Sequence, residues 1–477
     1  MKTLDKLYIN GQWQASASDR FIDVTNPADN QIFLRVPQGN SDDIEKALQA
    51  ARQALPGWAT SLASIRADLM RAVANEMRNR YDELVDAHVK SMGCPRHLTG
   101  AFHVDAPIEA MEFYADLAYK MEAVEERNNV LLLKEPVGVC AFINPWNYPL
   151  HQLIGKVAPA LAAGCTIVAK PAEQTPELDF LMAEIFHTAG LPAGVFNLVS
   201  GIGTEIGPVM SGHPEVDMVS FTGSTRAGVQ VAAAAAPGVK RVCQELGGKS
   251  AFIITEDADL EAAVRYGVED VMANTGQTCN ALTRMLVPQS RYEAAVNLAA
   301  EVAREQVVGD PTDDATTMGP MASHRQKDTV ENYIRLGLEE GARLVTGGPG
   351  APADLPEALQ DGAFVQPTIF ADVHNRMRIA REEIFGPVLC IIPYSDTEDA
   401  IAIANDTPYG LSSGVYAKDA AAAIPIARRL QAGQCYIQGA YFSMDAPFGG
   451  YKQSGNGREW GEHGMDEYME TKAIICG

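Results

Sequence analysis

Three short apolar runs separated by helical stretches constrain this chain most. Residues 139–143, 166–169 and 195–199 read VCAFI, TIVA and VFNLV. Each is apolar on both faces, as a strand covered on both sides of a parallel sheet must be. Between the last two, Thr175-Pro176-Glu177 offers an N-cap threonine followed by proline at the first helical position, where a missing N–H costs nothing. Alternation of this kind predicts an α/β fold with a doubly wound sheet, whose ligands sit at the carboxyl ends of the strands. A second α/β block begins at Ser250-Ala251-Phe252-Ile253-Ile254 and runs to about Phe448, with Asp257, Asp259 and Leu260 opening its first helix.

The first third of the chain is helical in pattern. Ser41 reads as an N-cap, Asp42 and Asp43 as an acidic first turn, and Ile44, Ala47, Leu48 and Ala51 as one apolar face. Further helices are expected over 63–90 and 107–121. The alanine runs at 232–236 and 420–423 read as ordinary helix, the first ending at Pro237-Gly238. The run Val130-Leu131-Leu132-Leu133-Lys134 and the tail Glu470-Thr471-Lys472-Ala473-Ile474-Ile475-Cys476 are strand-like and far apart. Two such exposed strands suggest pairing between subunits, or else ordinary edge strands within one.

A chain of 477 residues can bury a large core, and its length suggests about three domains. Its formal net charge of -23 argues against nucleic acid and anionic membranes, which repel an acidic surface. The eight cysteines are scattered with no CxxC pair, so neither a disulfide framework nor a zinc site is expected, and no metal site is assigned. The first residues lack an apolar signal-like segment, and the most apolar stretch, 157–169, is too short to span a bilayer and contains Pro159. A soluble, cytoplasmic protein with reduced thiols is expected.

The chemistry concentrates around Cys279, in Gly276-Gln277-Thr278-Cys279-Asn280. A thiol is a strong nucleophile once ionised, but a free thiol near pKa about 8.5 is mostly protonated at neutral pH, so it needs a base or a lowered pKa. The small polar residues before it read as a mobile approach unsuited to a core strand. Glu245, between Val242 and Leu246, is the candidate base, since partial burial raises a carboxylate pKa toward the working range. Alone it would read as a solvated or ion-paired glutamate; beside Cys279 and the Gly247-Gly248 pair it reads as chemistry. Asn147, stiffened between Pro145 and Pro149, can donate its amide to an oxyanion, with the backbone N–H of Cys279 as second donor. Lys170 and Glu173 follow a parallel strand. A glutamate there accepts hydrogen bonds from a ribose diol and repels a 2′-phosphate, which favours NAD over NADP. Gly223 and Ser224 open a helix whose amides can meet a pyrophosphate. Residues 201–207 nearly match GxGxxG, with the last glycine one place late, and read equally as a strand-to-helix turn.

These residues resemble the aldehyde dehydrogenase superfamily over nearly the whole chain. The motifs are PWN at 145–147, KPAE at 170–173, FTGST at 221–225, ELGGKS at 245–250, GQTC at 276–279, EEIFGPV at 382–388 and PFGGYKQSGNGRE at 447–459. The resemblance implies a Rossmann-like NAD domain (1–117 and 137–247), an α/β catalytic domain (248–455), and a small β oligomerisation arm with the C-terminal strand (118–136 and 456–477). It implies a homodimer or homotetramer. By motif, Cys279 corresponds to the nucleophile, Glu245 to the general base, Asn147 to the oxyanion donor, and Lys156 and Glu459 to a proton-relaying pair behind the base. Lys170, Glu173 and Glu383 correspond to residues that hold the cofactor's riboses, and Phe385 to one beside the nicotinamide ribose. Ile143, Trp146, Gly203, Phe221, Gly223, Ser224 and Leu246 complete the expected cofactor site, with the FTGST turn rather than 201–207 as its seat.

The implied reaction is NAD-dependent oxidation of an aldehyde to a carboxylic acid through a cysteine thiohemiacetal and thioester. Coenzyme-A-acylating relatives generally lack the base glutamate that stands here at 245. A silent structural protein on the same fold would not keep every one of these residues. Gln438 departs from the asparagine common in the family, and the loop 439–445 is short, so substrate does not carry over from relatives. Tyr148, Tyr441, Phe442 and Met111 are candidates to line an apolar tunnel suited to aromatic or medium-chain aldehydes, or else to pack in the core. Asn280 is polar and points instead to an oxygenated or semialdehyde substrate.

Overall fold

The computed structural model describes residues 1–122 and 124–477. Two large sheets organise them. The first has eight strands, in the order Gly455–Asn456, Arg241–Glu245, Met218–Thr222, Val139–Ile143, Thr166–Lys170, Phe196–Leu198, Leu7–Ile9, Gln12–Gln14. Its five central strands are parallel, and the flanking ones antiparallel. The predicted strands at 139, 166 and 195 are three of those five, and all are buried. The second sheet has seven strands, Arg343–Thr346, Thr368–Ala371, Val388–Tyr394, Arg284–Pro288, Ala251–Ile254, Ser412–Tyr416 and Gln434–Ile437, parallel except at the first. Helices cover both sheets, so continuous apolar strands lose water on both faces.

Several helix boundaries differ from the sequence reading. Asn40, not Ser41, caps the helix Ser41–Ala59. Its Oδ1 accepts from the N–H groups of Asp42 and Asp43 at 3.0 and 3.2 Å, while Asp43 Oδ2 accepts from the Asn40 N–H at 3.2 Å, a reciprocal capping box. The expected helix at 63–90 is two, Ala63–Asn79 and Tyr81–Met92, broken where Arg80 leaves helical ψ. Thr175 precedes the helix Pro176–Thr188 as expected, but its hydroxyl makes no capping bond. The helix Ala106–Ala118 is entered through a π-helical turn, Gly100–Asp105, that periodicity did not reveal.

The two strand-like runs pair with each other. Val130–Pro136 lies antiparallel to Met469–Ile475, with Glu125–Arg127 on its other side. This pairing inside one chain satisfies the backbone groups that the sequence reading had assigned first to a partner subunit. Among the described residues no helix is long and apolar enough to cross a membrane, and no cluster of His, Cys, Asp and Glu could hold a metal ion.

Candidate active site

Cys279 is delivered by an unusual stretch of backbone. After the helix Leu260–Met272, Asn274, Thr275 and Gly276 take φ of 50, 54 and 70° in succession. Left-handed backbone is disfavoured for side chains other than glycine and asparagine, and β-branched Thr275 is the most strained of the three. Hydrogen bonds hold it: Thr275 Oγ1 donates to Gly319 O at 3.0 Å, and Asn274 Nδ2 donates to Asn147 O at 3.0 Å. Gly276 is required twice over. Beyond its φ, a Cβ there would stand 2.1 Å from the carbonyl carbon of Gly386. The approach to Cys279 is therefore fixed, not mobile as the small residues suggested. Gln277 is 1% exposed and accepts from the Ala322 N–H at 2.8 Å.

Cys279 lines two cavities and stands where they meet. The first is a cleft of about 650 Å³ between the carboxyl ends of first-sheet strands, at Thr222 and Glu245, and residues that precede second-sheet strands, at Cys279 and 383–385. Trp146, Gly223, Ser224, Leu246, Glu383 and Phe385 line it, as do Asn147 and Glu245. Ser224 caps the helix Thr225–Ala235 by accepting from the Ala227 N–H at 3.3 Å, and the first turn of that helix has no acidic residue to oppose an anion. Phe221 packs its ring 2.7 Å from where a Gly223 Cβ would be, so only glycine keeps this turn open. Glu383 accepts from the Gly248 N–H at 3.0 Å, and a Cβ on Gly247 would strike its carboxylate at 2.3 Å. Burial pushes the Glu383 carboxyl up to about 7. Phe385, at φ 58°, stands edge-on to Trp146 with centroids 5.4 Å apart.

The other expected cofactor residues sit off this cleft. Lys170 Nζ lies 3.4 Å from Glu173 Oε1, which also accepts from the Gly203 N–H at 2.5 Å. Glu173 lines an adjoining hollow that shares Gln174, Ser323 and Arg325 with the main cleft. The near-glycine motif thus meets the ribose-type carboxylate through one amide. Ile143 ends its strand buried in the core beneath.

Behind Cys279, Glu245 is 4% exposed, and its Oε2 has no hydrogen-bond partner among the described residues. Burial, then the Glu459 carboxylate, raise its pKa well above the usual range, while Lys156 opposes them. Lys156 is fully buried, 2.8 Å from Glu459 Oε1, and donates to Thr222 Oγ1 at 2.8 Å and Gln152 Oε1 at 3.2 Å. Burial also raises the Cys279 thiol, with Glu383 and Glu245 adding repulsion, so the resting sulfur is a neutral thiol. Asn147 donates one amide hydrogen to Gln277 O at 3.0 Å, which orients the group and leaves the second hydrogen uncommitted.

The second cavity, about 370 Å³, is lined by Tyr148, Asn280, Tyr441 and Phe442 as anticipated. Met111 is not there; it is fully buried in the core of the first sheet's helices. Asn280 is tied down, its Nδ2 donating to the Tyr436 hydroxyl at 3.0 Å. Gln438 faces away and brackets Ala417, with bonds of 2.6 and 2.7 Å to its N–H and carbonyl, so its departure from asparagine trims a strand end rather than the cavity. Sequence reasoning missed His151, Tyr266, Phe102 and Trp460 in this wall. His151 follows Tyr148 by three residues and Asn147 by four, a helical spacing that could have found it.

The family model for the aldehyde dehydrogenase family matches residues 13–474. A 3-succinoylsemialdehyde-pyridine dehydrogenase from a Pseudomonas species is 47% identical over 100% of this chain and 99% of its own length. The structure of aldehyde dehydrogenase C from Pseudomonas syringae, complexed with NAD+ and octanal, superposes with a TM-score of 0.97 at 46% identity, covering 99% of this chain and 96% of that one. A Mycobacterium tuberculosis aldehyde dehydrogenase complexed with NAD+ gives 0.96 at 41% identity, over 100% and 99% of the two chains.

The left-handed delivery of Cys279 has a direct test. Gly276→Ala is expected to destabilise the fold by on the order of 2 kcal/mol or more, because neither φ nor the Gly386 backbone can yield cheaply. Thermal unfolding and the alkylation rate of Cys279 read this. An unchanged melting temperature and alkylation rate would contradict it.

Proposed function

Because the chain belongs to the aldehyde dehydrogenase family, we propose that it oxidises an aromatic or medium-chain aldehyde to its carboxylic acid with NAD+. The observation that carries this reading is the position of Cys279 at the junction of a dinucleotide-sized cleft and a separate aromatic cavity. The residues fit the cofactor: an open glycine turn at a helix N-terminus for the pyrophosphate, with Glu383 and the Lys170–Glu173 pair for the riboses. Glu173 repels a 2′-phosphate and supports NAD over NADP. When bound, NAD+ supplies the acceptor for the hydride that leaves the aldehyde carbon.

The chain's own residues do the rest. Cys279 Sγ attacks the carbonyl carbon as its proton passes to a base, and Asn147 Nδ2 with the Cys279 N–H holds the oxygen's developing charge. Once the carbon is oxidised, the acyl group is a thioester on Cys279. Glu245 takes a proton from water, whose oxygen attacks the thioester; the carboxylic acid leaves and the thiol is restored. Lys156 and Glu459 offer the proton on Glu245 a way out through buried polar atoms.

Among the described residues the wall of the substrate cavity contains no lysine or arginine but does contain Glu269 and Asp270. An anionic semialdehyde would find no counter-charge there, and that supports a neutral substrate. The succinoylsemialdehyde-pyridine named for one relative's activity and the octanal complexed with a mutant of another support an aromatic or medium-length body. The same reading places the enzyme in the cytoplasm as a homodimer or homotetramer, supported by its free cysteines and by the open edges of the three-stranded arm.

Cys279→Ala is expected to abolish NADH formation from every aldehyde. Glu245→Gln should give a burst of about one NADH per site in stopped flow and then a steady rate reduced a hundredfold or more; a full steady rate would exclude Glu245 as the base. The pH dependence has a definite sign. Deacylation needs ionised Glu245, so it is present above the Glu245 pKa and lost as pH falls through it. Glu459 raises that pKa, so Glu459→Gln should move the acid limb of the deacylation profile to lower pH. A shift to higher pH, or none, would contradict the coupling.

A further inference from the structure

Most polar side chains deep in the substrate cavity make a hydrogen bond to the protein. The Tyr148 hydroxyl pairs with Thr278 Oγ1 at 2.8 Å, and the Tyr266 hydroxyl donates to Ala440 O at 3.2 Å. Asn280 Nδ2 is held by Tyr436, and Asp270 accepts from the Leu282 N–H at 2.8 Å. Gln152 Oε1 accepts from Lys156. Tyr441, which is 81% exposed, and His151, whose half-buried ring is part of the cavity wall, make no hydrogen bond among the described residues. The His151 ring nitrogens are not sealed from the cavity, so a polar atom of a molecule bound there can reach them.

Its position is fixed by aromatic packing rather than by polar contacts. The ring centroid is 4.4 Å from that of Trp460, 5.5 Å from Phe442 and 6.1 Å from Tyr148. Trp460 is itself held at φ 64° and ψ 161°, a conformation costly for any residue but glycine, and is 1% exposed. It fits only because residue 155 is glycine, whose Cβ would lie 2.8 Å from the indole. Burial, then the Lys156 ammonium, hold the His151 pKa down at about 3. At neutral pH the imidazole therefore keeps one N–H and one lone pair and carries no charge.

We infer that His151 is a specificity-determining residue, donating a hydrogen bond to an acceptor atom carried by the substrate beyond the reacting aldehyde. The preferred substrate class is then a neutral aldehyde with an apolar body and a hydrogen-bond acceptor such as a ketone oxygen. The inference rests on the aldehyde-oxidising reading of this site. A hydrogen bond that the site is built to make discriminates against an analogue lacking it, because the site's own polar group is then left unpaired.

The test compares 4-phenylbutanal with its 4-oxo analogue, and pentanal and hexanal with their 4-oxo and 5-oxo analogues. Wild type should favour an oxo-aldehyde over its parent by about tenfold in kcat/KM, mostly through KM. His151→Leu and His151→Phe should collapse that ratio toward one, and His151→Gln, which keeps a donor, should restore part of it. Binding of the same pairs, read by quenching of tryptophan fluorescence, is measured in Cys279→Ala with and without His151→Leu. That arm reports recognition even if no aldehyde is turned over, so failure of the oxidation reading is told apart from failure of this one. A ratio near one in wild type, or a preference that survives both His151→Leu and His151→Phe, would overturn the assignment.

Discussion

The site depends on one short piece of backbone under constraint. Three successive left-handed residues, Asn274 to Gly276, turn the chain sharply after a helix and place Cys279 between two cavities, each lined by residues from both halves of the chain. Strain of this sort costs about 1–3 kcal/mol per residue and persists only where the surroundings over-determine it. Here they do. Asn274 is bonded to the Asn147 carbonyl, Gln277 to both Asn147 and Ala322, and Gly276 lies against Gly386. The same bonds that hold the segment before Cys279 also orient Asn147, so the two cannot move independently.

Around that junction burial works against the charged form of three side chains. Glu245, Glu383 and the Cys279 thiol all have raised pKa values, burial being the largest cause for each. For Cys279 and Glu245 alike, burial and neighbouring carboxylates favour the uncharged form. Lys156 and Glu459 pair 2.8 Å apart, and this lets the Lys156 ammonium lie fully buried near Glu245.

Much of this was legible in the sequence, for identifiable physical reasons. Strands 139–143 and 166–169 are apolar on both faces, a signal specific to parallel sheets, and the residues after them were placed at the ligand-binding edge by that fact alone. Cys279, Glu245 and Asn147 stood out through glycine and proline context. The sequence did not reveal what depends on packing across the chain. The segment before Cys279 looked mobile because its residues are small, yet small residues are what a tight left-handed turn buried against Gly386 requires. The tail and the 130–134 run looked like surfaces for a partner because nothing local says that strands so far apart in sequence pair with each other. Trp460 was invisible because its place depends on a contact over Gly155, and for Met111 the structure selects the core of the two readings a methionine on a helix allows.

The central claim is that oxidation passes through an acyl group on Cys279 that Glu245-activated water removes. Acid-quenched wild-type protein and Glu245→Gln, each mixed with NAD+ and an aromatic aldehyde, should be digested and weighed by mass spectrometry. The account predicts an acyl mass increment on the peptide containing Cys279, small in wild type and near one per chain in Glu245→Gln. An adduct on any of the other seven cysteines, or NADH formed with no adduct in Glu245→Gln, would contradict it.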